Sequence, residues 1–434
     1  MLRLIVFIIA ALAFMLPAVV CAWPAWTEKE LPSGARVIFI PDSSSRTVSV
    51  NIWVKAGSRD EDKGEEGISH FLEHLFFRGS EEESGAEFKA AIEALGGVSN
   101  AETANDYTRY YINAPSKNAS KALSMLIHAL KKASFSKDEL EIERKVILEE
   151  CRMRGNAASS VLFNAAIETA YGQHPYARPV IGYEANIKRF SRNDFLSYRE
   201  KMYRPSNLVF VIAGRFSEKE ALGIISDEYG SLSGYAERYD RKEFAIPSGK
   251  PKEKRLKSSG ISEVMAGYYA PPASKERELC AADVFCFLIG KGRSSVLAKA
   301  RENSGGRILS MGVDFQTMKD PGLILFSASS NDMTPEELKS EIDAAVRYVA
   351  DGKFSDADLA RARRILSAES VYSFDTNAGR AGSFGLYAVI GRSGFAADYA
   401  GMIEKVSRDD VIGIASGFSG GPDVFVFSGG PKKK

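Results

Sequence analysis

Histidine and cysteine are scarce in this chain, with four of each among 434 residues. One cysteine, Cys21, falls in an N-terminal leader, which leaves Cys151, Cys280 and Cys286. Cys280 and Cys286 are six apart on an expected helix and point to different sides. An odd number of thiols without a close pair argues against a disulfide framework, so we expect buried free thiols. Net charge is nearly absent as well, 57 basic against 56 acidic side chains for +1 overall. That removes the electrostatic case for nucleic acid or an anionic membrane as partner.

Long apolar runs are confined to the first residues. Arg3, the run from Leu4 to Met15, Pro17 and Val20-Cys21-Ala22 read as a secretory signal peptide over residues 1–22. Acylation of Cys21 is a weaker alternative, because bulky Val20 precedes it. No later segment is long and apolar enough to span a bilayer. We therefore expect a periplasmic or secreted protein with no stable membrane insertion after the leader is removed. The closing Lys432, Lys433 and Lys434 read as a solvated tail.

The remaining composition, 45% hydrophobic and 26% charged, is that of an ordinary globular protein. Its length exceeds a comfortable single core, so two domains are expected. Two histidines stand close together in Gly67-Ile-Ser-His-Phe-Leu-Glu-His-Leu-Phe-Phe-Arg-Gly79. Read as a helix, His70, Glu73 and His74 share one face, and Ile68, Phe71, Leu72 and Leu75 occupy the other. Two neutral imidazoles at i and i+4 can grip one Zn²⁺, with an unligated carboxylate beside them as base.

Apolar alternation and turn signals give strands near Ala35–Pro41, Thr47–Ala56, Val98–Thr103, Tyr107–Ala114 and Leu208–Ala213. Gly96-Gly97 ends a helix from about Ala86, and Ser136-Lys137-Asp138-Glu139 starts another. A charged, Gly- and Pro-containing stretch over 235–254 reads as a linker. Beyond it, strands near Glu263–Ala270, Ile308–Phe315, Leu323–Ser329 and Asp423–Phe427 alternate with helices in the order of the first half. The simplest account is an α+β fold of two similar domains, 23–234 and 255–434, each a mostly antiparallel sheet packed with helices. The second half has no histidine, so it holds no copy of the metal site.

Catalytic zinc usually takes three protein ligands and a water. The Ser136-capped helix offers Glu143, Glu149 and Glu150. Glu143 and Glu150 are seven apart and share a face, with Glu149 about 100° away. Val146 and Ile147 between them suggest that this face is buried, where carboxylates need compensating partners. An exposed acidic helix is the competing account.

His70-Phe71-Leu72-Glu73-His74 with a glutamate-rich helix downstream resembles the pitrilysin/insulinase family of metallopeptidases, whose motif is H-x-x-E-H. Gly57-Ser58-Arg59, Phe77-Arg78-Gly79-Ser80, Gly96-Gly97 with Asn100-Ala101-Glu102-Thr103, and Tyr203-Arg204-Pro205-Ser206-Asn207 look like its flanking stretches. The resemblance implies that His70, His74 and Glu150 are zinc ligands, one ion per chain, that Glu73 is the general base, and that Glu143 supports the site. It also implies paired chains, as a homodimer or with a related chain, closing around a chamber for peptide substrates. An extended peptide would add to the edge of the strand at Asn100, Ala101, Glu102 and Thr103 through main-chain hydrogen bonds.

The second half departs from that pattern. Relatives commonly carry Arg-Gly followed by Tyr, which help to hold the substrate carbonyl. Here the stretch reads Arg301-Glu-Asn-Ser-Gly-Gly-Arg307-Ile-Leu309-Ser310, with Leu309 where a tyrosine is expected and Arg307 displaced. Either a partner chain supplies the missing groups or the protein is a weak or specialised homodimeric peptidase. A non-catalytic subunit that binds peptides or serves as scaffold is the rival, and a zinc store a third reading. His174 is read as a loop or core histidine, and His128 as structural.

Overall fold

The computed structural model describes residues 25–156, 158–230, 241–247, 251–257 and 260–429. The leader, the lysine tail and part of the expected linker lie outside the described residues. The first half runs β1 (Thr27–Glu30), β2 (Arg36–Pro41), β3 (Thr47–Val54), α1 (Ile68–Phe76), α2 (Gly85–Ala94), β4 (Val98–Thr103) and β5 (Thr108–Pro115). It continues through α3 (Ala119–Lys132), α4 (Lys137–Asn156), α5 (Ala158–Tyr171), α6 (Glu184–Arg189), α7 (Arg192–Met202), β6 (Leu208–Gly214) and α8 (Glu218–Tyr229). The second half begins with β7 (Lys252–Leu256), β8 (Ser262–Tyr269), α9 (Glu276–Gly290), α10 (Val296–Asn303), β9 (Ile308–Phe315) and β10 (Leu323–Ser330). It closes with α11 (Pro335–Ala350), α12 (Asp356–Ser373), α13 (Asn377–Ile390), α14 (Phe395–Lys405), α15 (Arg408–Gly417) and β11 (Val424–Ser428).

The strands form two sheets, ordered β1-β2-β6-β3-β5-β4 and β7-β11-β8-β10-β9. Without β1 the two orders correspond strand for strand. In each, the closing strand of the half sits beside the opening strand in the sheet's one parallel pair. The chain is thus α+β with two similar, mostly antiparallel sheets packed with helices.

Local chemistry sets the boundaries. Gly96 ends α2 at φ +71°, donating to Glu93 O at 2.8 Å while Gly97 donates to Ile92 O at 3.0 Å. Ser136 Oγ accepts the Glu139 N–H at 3.3 Å at the start of α4. Two strands depart from the expected pattern. β1 is exposed throughout. β7, Lys-Glu-Lys-Arg-Leu, begins inside the stretch read as linker and pairs with β11. Both are charged edge strands, which lack the apolar alternation that marks a strand in sequence.

Each half lends a helix to the other's sheet. Leu162, Ala165, Ala166 and Tyr171 of α5 pack with Met318, Leu323, Val424 and Val426. In return Ala381, Phe384 and Ala388 of α13 pack on Ile38, Trp53, Val209 and Val211. Buried charges reinforce the join. Arg59 donates to Asp320 at 2.7 and 2.9 Å, and Arg241 to Asp60 at 2.6 and 3.0 Å. Among the described residues all three cysteines are free, but only Cys280 is fully buried; Cys151 and Cys286 are half-buried.

The exchange of α13 depends on a close approach at Gly385, where an added Cβ would meet Trp53 Nε1 at 2.0 Å. Alanine there gains about 1 kcal/mol of helix propensity but drives a methyl into a rigid, buried indole. We expect Gly385→Ala to destabilise the protein by about 1–3 kcal/mol in urea unfolding. Gly413→Ala in α15, where nothing lies within 4 Å of the new Cβ, should stabilise it by about 0.5–1 kcal/mol.

Candidate metal centre

Helix α1 is held at its start by groups distant in sequence. Its N-cap, Gly67, has φ +100°, and a Cβ there would come within 2.7 Å of Ile181 O. A positive φ and that contact both require glycine. The Gly67 and Ser69 N–H groups donate to the buried Glu61 carboxylate, each at 2.9 Å. Ser69 Oγ also lies 2.7 Å from Tyr198 OH. Ile68, Phe71, Leu72 and Leu75 are at most 1% exposed, which anchors the apolar face and leaves His70, Glu73 and His74 on the other.

Helix α4 packs against α1. Glu143 and Ile147 are fully buried, but Val146 is 47% exposed. The expectation that Val146 shares the buried face is corrected: the face follows Glu143, Ile147 and Glu150 at i, i+4 and i+7, and Val146 turns to solvent. Glu149 also points away, pairing with Arg152 at 3.2 Å on the surface.

The ligand atoms of His70, His74 and Glu150 all lie within 4.8 Å of one another, and the described residues contain no other such group. Glu150 Oε2 is 3.8 Å from His70 Nε2 and 4.0 Å from His74 Nε2. Its other oxygen takes Arg154 Nη2 at 2.6 Å. His74 Nδ1 lies 3.0 Å from Glu143 Oε2. A carboxylate can only accept, so Nδ1 carries the proton and Nε2 presents its lone pair to the cluster. Glu143 is neutralised on its far side by Arg78, 2.8 Å away. Burial, helped by the charges of His74 and Arg154, pushes His70 down to about 3, so its ring is neutral at physiological pH. Two imidazoles and a carboxylate, one imidazole oriented by a second carboxylate, fit the ligand set of Zn²⁺.

Glu73 lies beside this cluster. Its Oε2 accepts Thr103 Oγ1 at 2.6 Å. Burial raises its pKa, against the opposing effect of that hydrogen bond. Thr103 ends β4, which among the described residues pairs with β5 alone and leaves its other edge free. Ser99, Ala101 and Thr103 alternate inward, with Val98, Asn100 and Glu102 outward. Of the four residues Asn100–Thr103, Thr103 hydrogen-bonds Glu73 through its side chain, while Glu102 pairs with Arg109 at 3.3 Å.

The other sequence candidates lie apart from this cluster. His174 Nδ1 accepts the Tyr176 N–H at 3.1 Å in a buried turn, and His128 Nε2 is 3.5 Å from Ser80 Oγ. Leu309 is 44% exposed on β9, an edge strand of the second sheet. The supports from Glu61, Arg78 and Arg154 are contributed by the fold. Nothing in the spacing of Glu61 or Arg78 marks them, whereas Arg154 at i+4 from Glu150 was available as a helical pair.

A family model described as insulinase (peptidase family M16) matches residues 36–184, and one described as peptidase M16 inactive domain matches residues 189–366. Zinc protease PqqE of Helicobacter pylori is 27% identical over 408 residues, which are 91% of this chain and 90% of that protein. Subunit 1 of the mitochondrial cytochrome b-c1 complex of Bos taurus is 32% identical over 228 residues, 52% of this chain and 46% of that one. The crystal structure of a protease from Helicobacter pylori superposes with a TM-score of 0.83 at 25% identity, covering 94% of this chain and 100% of that chain.

Two outcomes follow from this geometry. Glu143→Ala leaves His74 unoriented and Arg78 without its partner, and should weaken zinc binding about 10–100-fold in chelator competition. Burial pushes Glu61 up to about 8, so the folded state binds more protons than the unfolded between about 4.5 and 8. This group's stabilisation is complete below the unfolded value and is lost as pH rises through about 8. Melting temperatures of the metal-free protein from pH 5 to 9 should therefore fall more steeply for wild type than for Glu61→Gln.

Proposed function

Because this chain belongs to the insulinase family, peptidase family M16, we propose that it is a zinc-dependent endopeptidase cutting peptides or unfolded polypeptides inside a chamber. The observation that carries the reading is the pairing of a three-donor cluster with a separate, hydrogen-bonded carboxylate, Glu73, on the same helix face. Zinc held by His70, His74 and Glu150 would supply a Lewis acid that polarises the scissile carbonyl and lowers the pKa of water. Glu73 takes the proton of the attacking water and passes it to the leaving amine nitrogen. Thr103 holds the Glu73 side chain by one oxygen. Glu143 keeps the His74 ring in one tautomer and orientation.

The free edge of β4 supports substrate binding at Asn100, Ala101, Glu102 and Thr103. An extended peptide pairing there lies beside Glu73, because Thr103 both ends the strand and bonds that carboxylate. The protein works with a second chain, either its own copy or a related one, and is exported on the strength of the leader at 1–22. A second reading, a subunit that binds peptides or acts as scaffold, is favoured by Leu309 in place of tyrosine and by the inactive-domain model over 189–366. The complete donor set and its oriented base weigh for the enzyme.

Purified protein should hold roughly one zinc per chain. Glu73→Gln should keep that zinc but cut a mixed peptide library about 10²–10⁴-fold more slowly. The assay should be run with and without any related chain encoded beside it. Equal cutting by the substituted and wild-type proteins would show that Glu73 is not the base, and absence of zinc would sink the enzyme reading.

A further inference from the structure

The adjacent glutamates of α4 each have an arginine partner, and the two pairs differ. Glu149 meets Arg152 at 3.2 Å with the side chains 60% and 61% exposed, the ordinary screened ion pair of a helix surface. Glu150 Oε1 meets Arg154 Nη2 at 2.6 Å, with the carboxylate 24% exposed and the guanidinium 55%. The second bond is shorter and its acceptor better shielded, so it orders its carboxylate where the first does not.

The two oxygens of Glu150 thus have different duties. Oε1 is engaged by Arg154, while Oε2 is 3.8 Å from His70 Nε2 and 4.0 Å from His74 Nε2. A carboxylate can ligate a metal through one oxygen or through both, and the second mode takes an additional place in the coordination shell. A hydrolytic centre needs its open place for water and the scissile carbonyl. Arg154 also brings positive charge close to the cluster, and that charge contributes to the lowering of His70. Two effects therefore oppose each other, repulsion of a bound cation and orientation of the ligand that would hold it. The guanidinium is more than half exposed, so solvent and salt screen its field, whereas a direct hydrogen bond to the ligand is not screened in this way. Orientation wins.

Resting on the zinc reading above, we propose that Arg154 is a positioning residue that restricts Glu150 to ligation through one oxygen, Oε2. It acts only through Glu150. By occupying Oε1 it keeps a place in the coordination shell for water and for the carbonyl oxygen of the substrate.

Cobalt(II) in place of zinc is the probe, because its visible absorption reports the coordination shell, strong for four ligands and weaker for five or six. Full-length Arg154→Met keeps an unbranched stem and removes the donor. It should lose at least about half of the wild-type cobalt band and bind zinc about tenfold more weakly in chelator competition. Arg154→Ala should show the same two losses, which excludes an effect of the methionine itself. Arg154→Lys restores a charged donor, and should recover the band and bring zinc affinity to within about threefold of wild type. Arg152→Met removes the surface pair of Glu149 and should change neither reading. Arg154 is exposed enough that these substitutions leave folding secure, which melting of the metal-free proteins checks. An unchanged band and affinity in Arg154→Met and Arg154→Ala would overturn the assignment, as would tighter zinc binding, no recovery with lysine, or an equal loss in Arg152→Met. A wild-type protein that binds neither metal refutes the zinc reading and this one with it. One that binds both but cuts no peptide refutes the peptidase reading alone, and the band still judges Arg154.

Discussion

A carboxylate with no access to water is tolerable only if its surroundings neutralise it, and Glu143 meets that condition by joining two helices. On one side it accepts from His74 of α1, and on the other it faces Arg78, just beyond the end of that helix. Glu143 itself belongs to α4, so the two interactions lock α1 and α4 at one separation. Two turns further along α4, about 10 Å, Glu150 then faces both imidazoles. The His70, His74 and Glu150 cluster thus depends on a side chain outside it. Losing either partner would leave buried charge uncompensated, which is far more costly than losing a surface ion pair.

The same principle operates at larger scale where the halves meet. Each sheet is covered on one face by a helix from the other half, so neither core is complete alone. Arg59, Asp60, Asp106, Arg241 and Asp320 interleave there with little contact with solvent. Paired buried charges of this kind specify geometry more than they add stability. The consequence for the site is a division of labour. His70, Glu73, His74 and Glu150 all come from the first half, whereas a cavity lined by Phe163 and Phe315 forms only where α5 meets β9 and β10.

Much of this was legible in advance where the signal was local and periodic. The apolar face of α1 followed from residues at helical spacing, the end of α2 from Gly96, and the start of α4 from Ser136. The duplicated element order became two sheets of matching strand order. Legibility failed where burial departs from periodicity. β1 and β7 are charged edge strands and carry no alternating apolar signal. Val146 and Ile147 are both apolar, yet only Ile147 turns inward. The strand pattern marks Thr103 only for its backbone, and its hydroxyl bond to Glu73 depends on how β4 lies across α1.

The sequence by itself determined that His70, Glu73 and His74 share a face, because helical geometry relates residues three and four apart whatever surrounds them. It also restricted the third donor to one helix, and the family resemblance singled out Glu150 there. Tertiary structure alone decided that Glu150 approaches the histidines while Glu149 does not, that Glu61 caps α1 from a distance, and that the two halves enclose a cavity between them. Those are distances between separate elements, set by which faces bury and how side chains interdigitate, and no local periodicity encodes them.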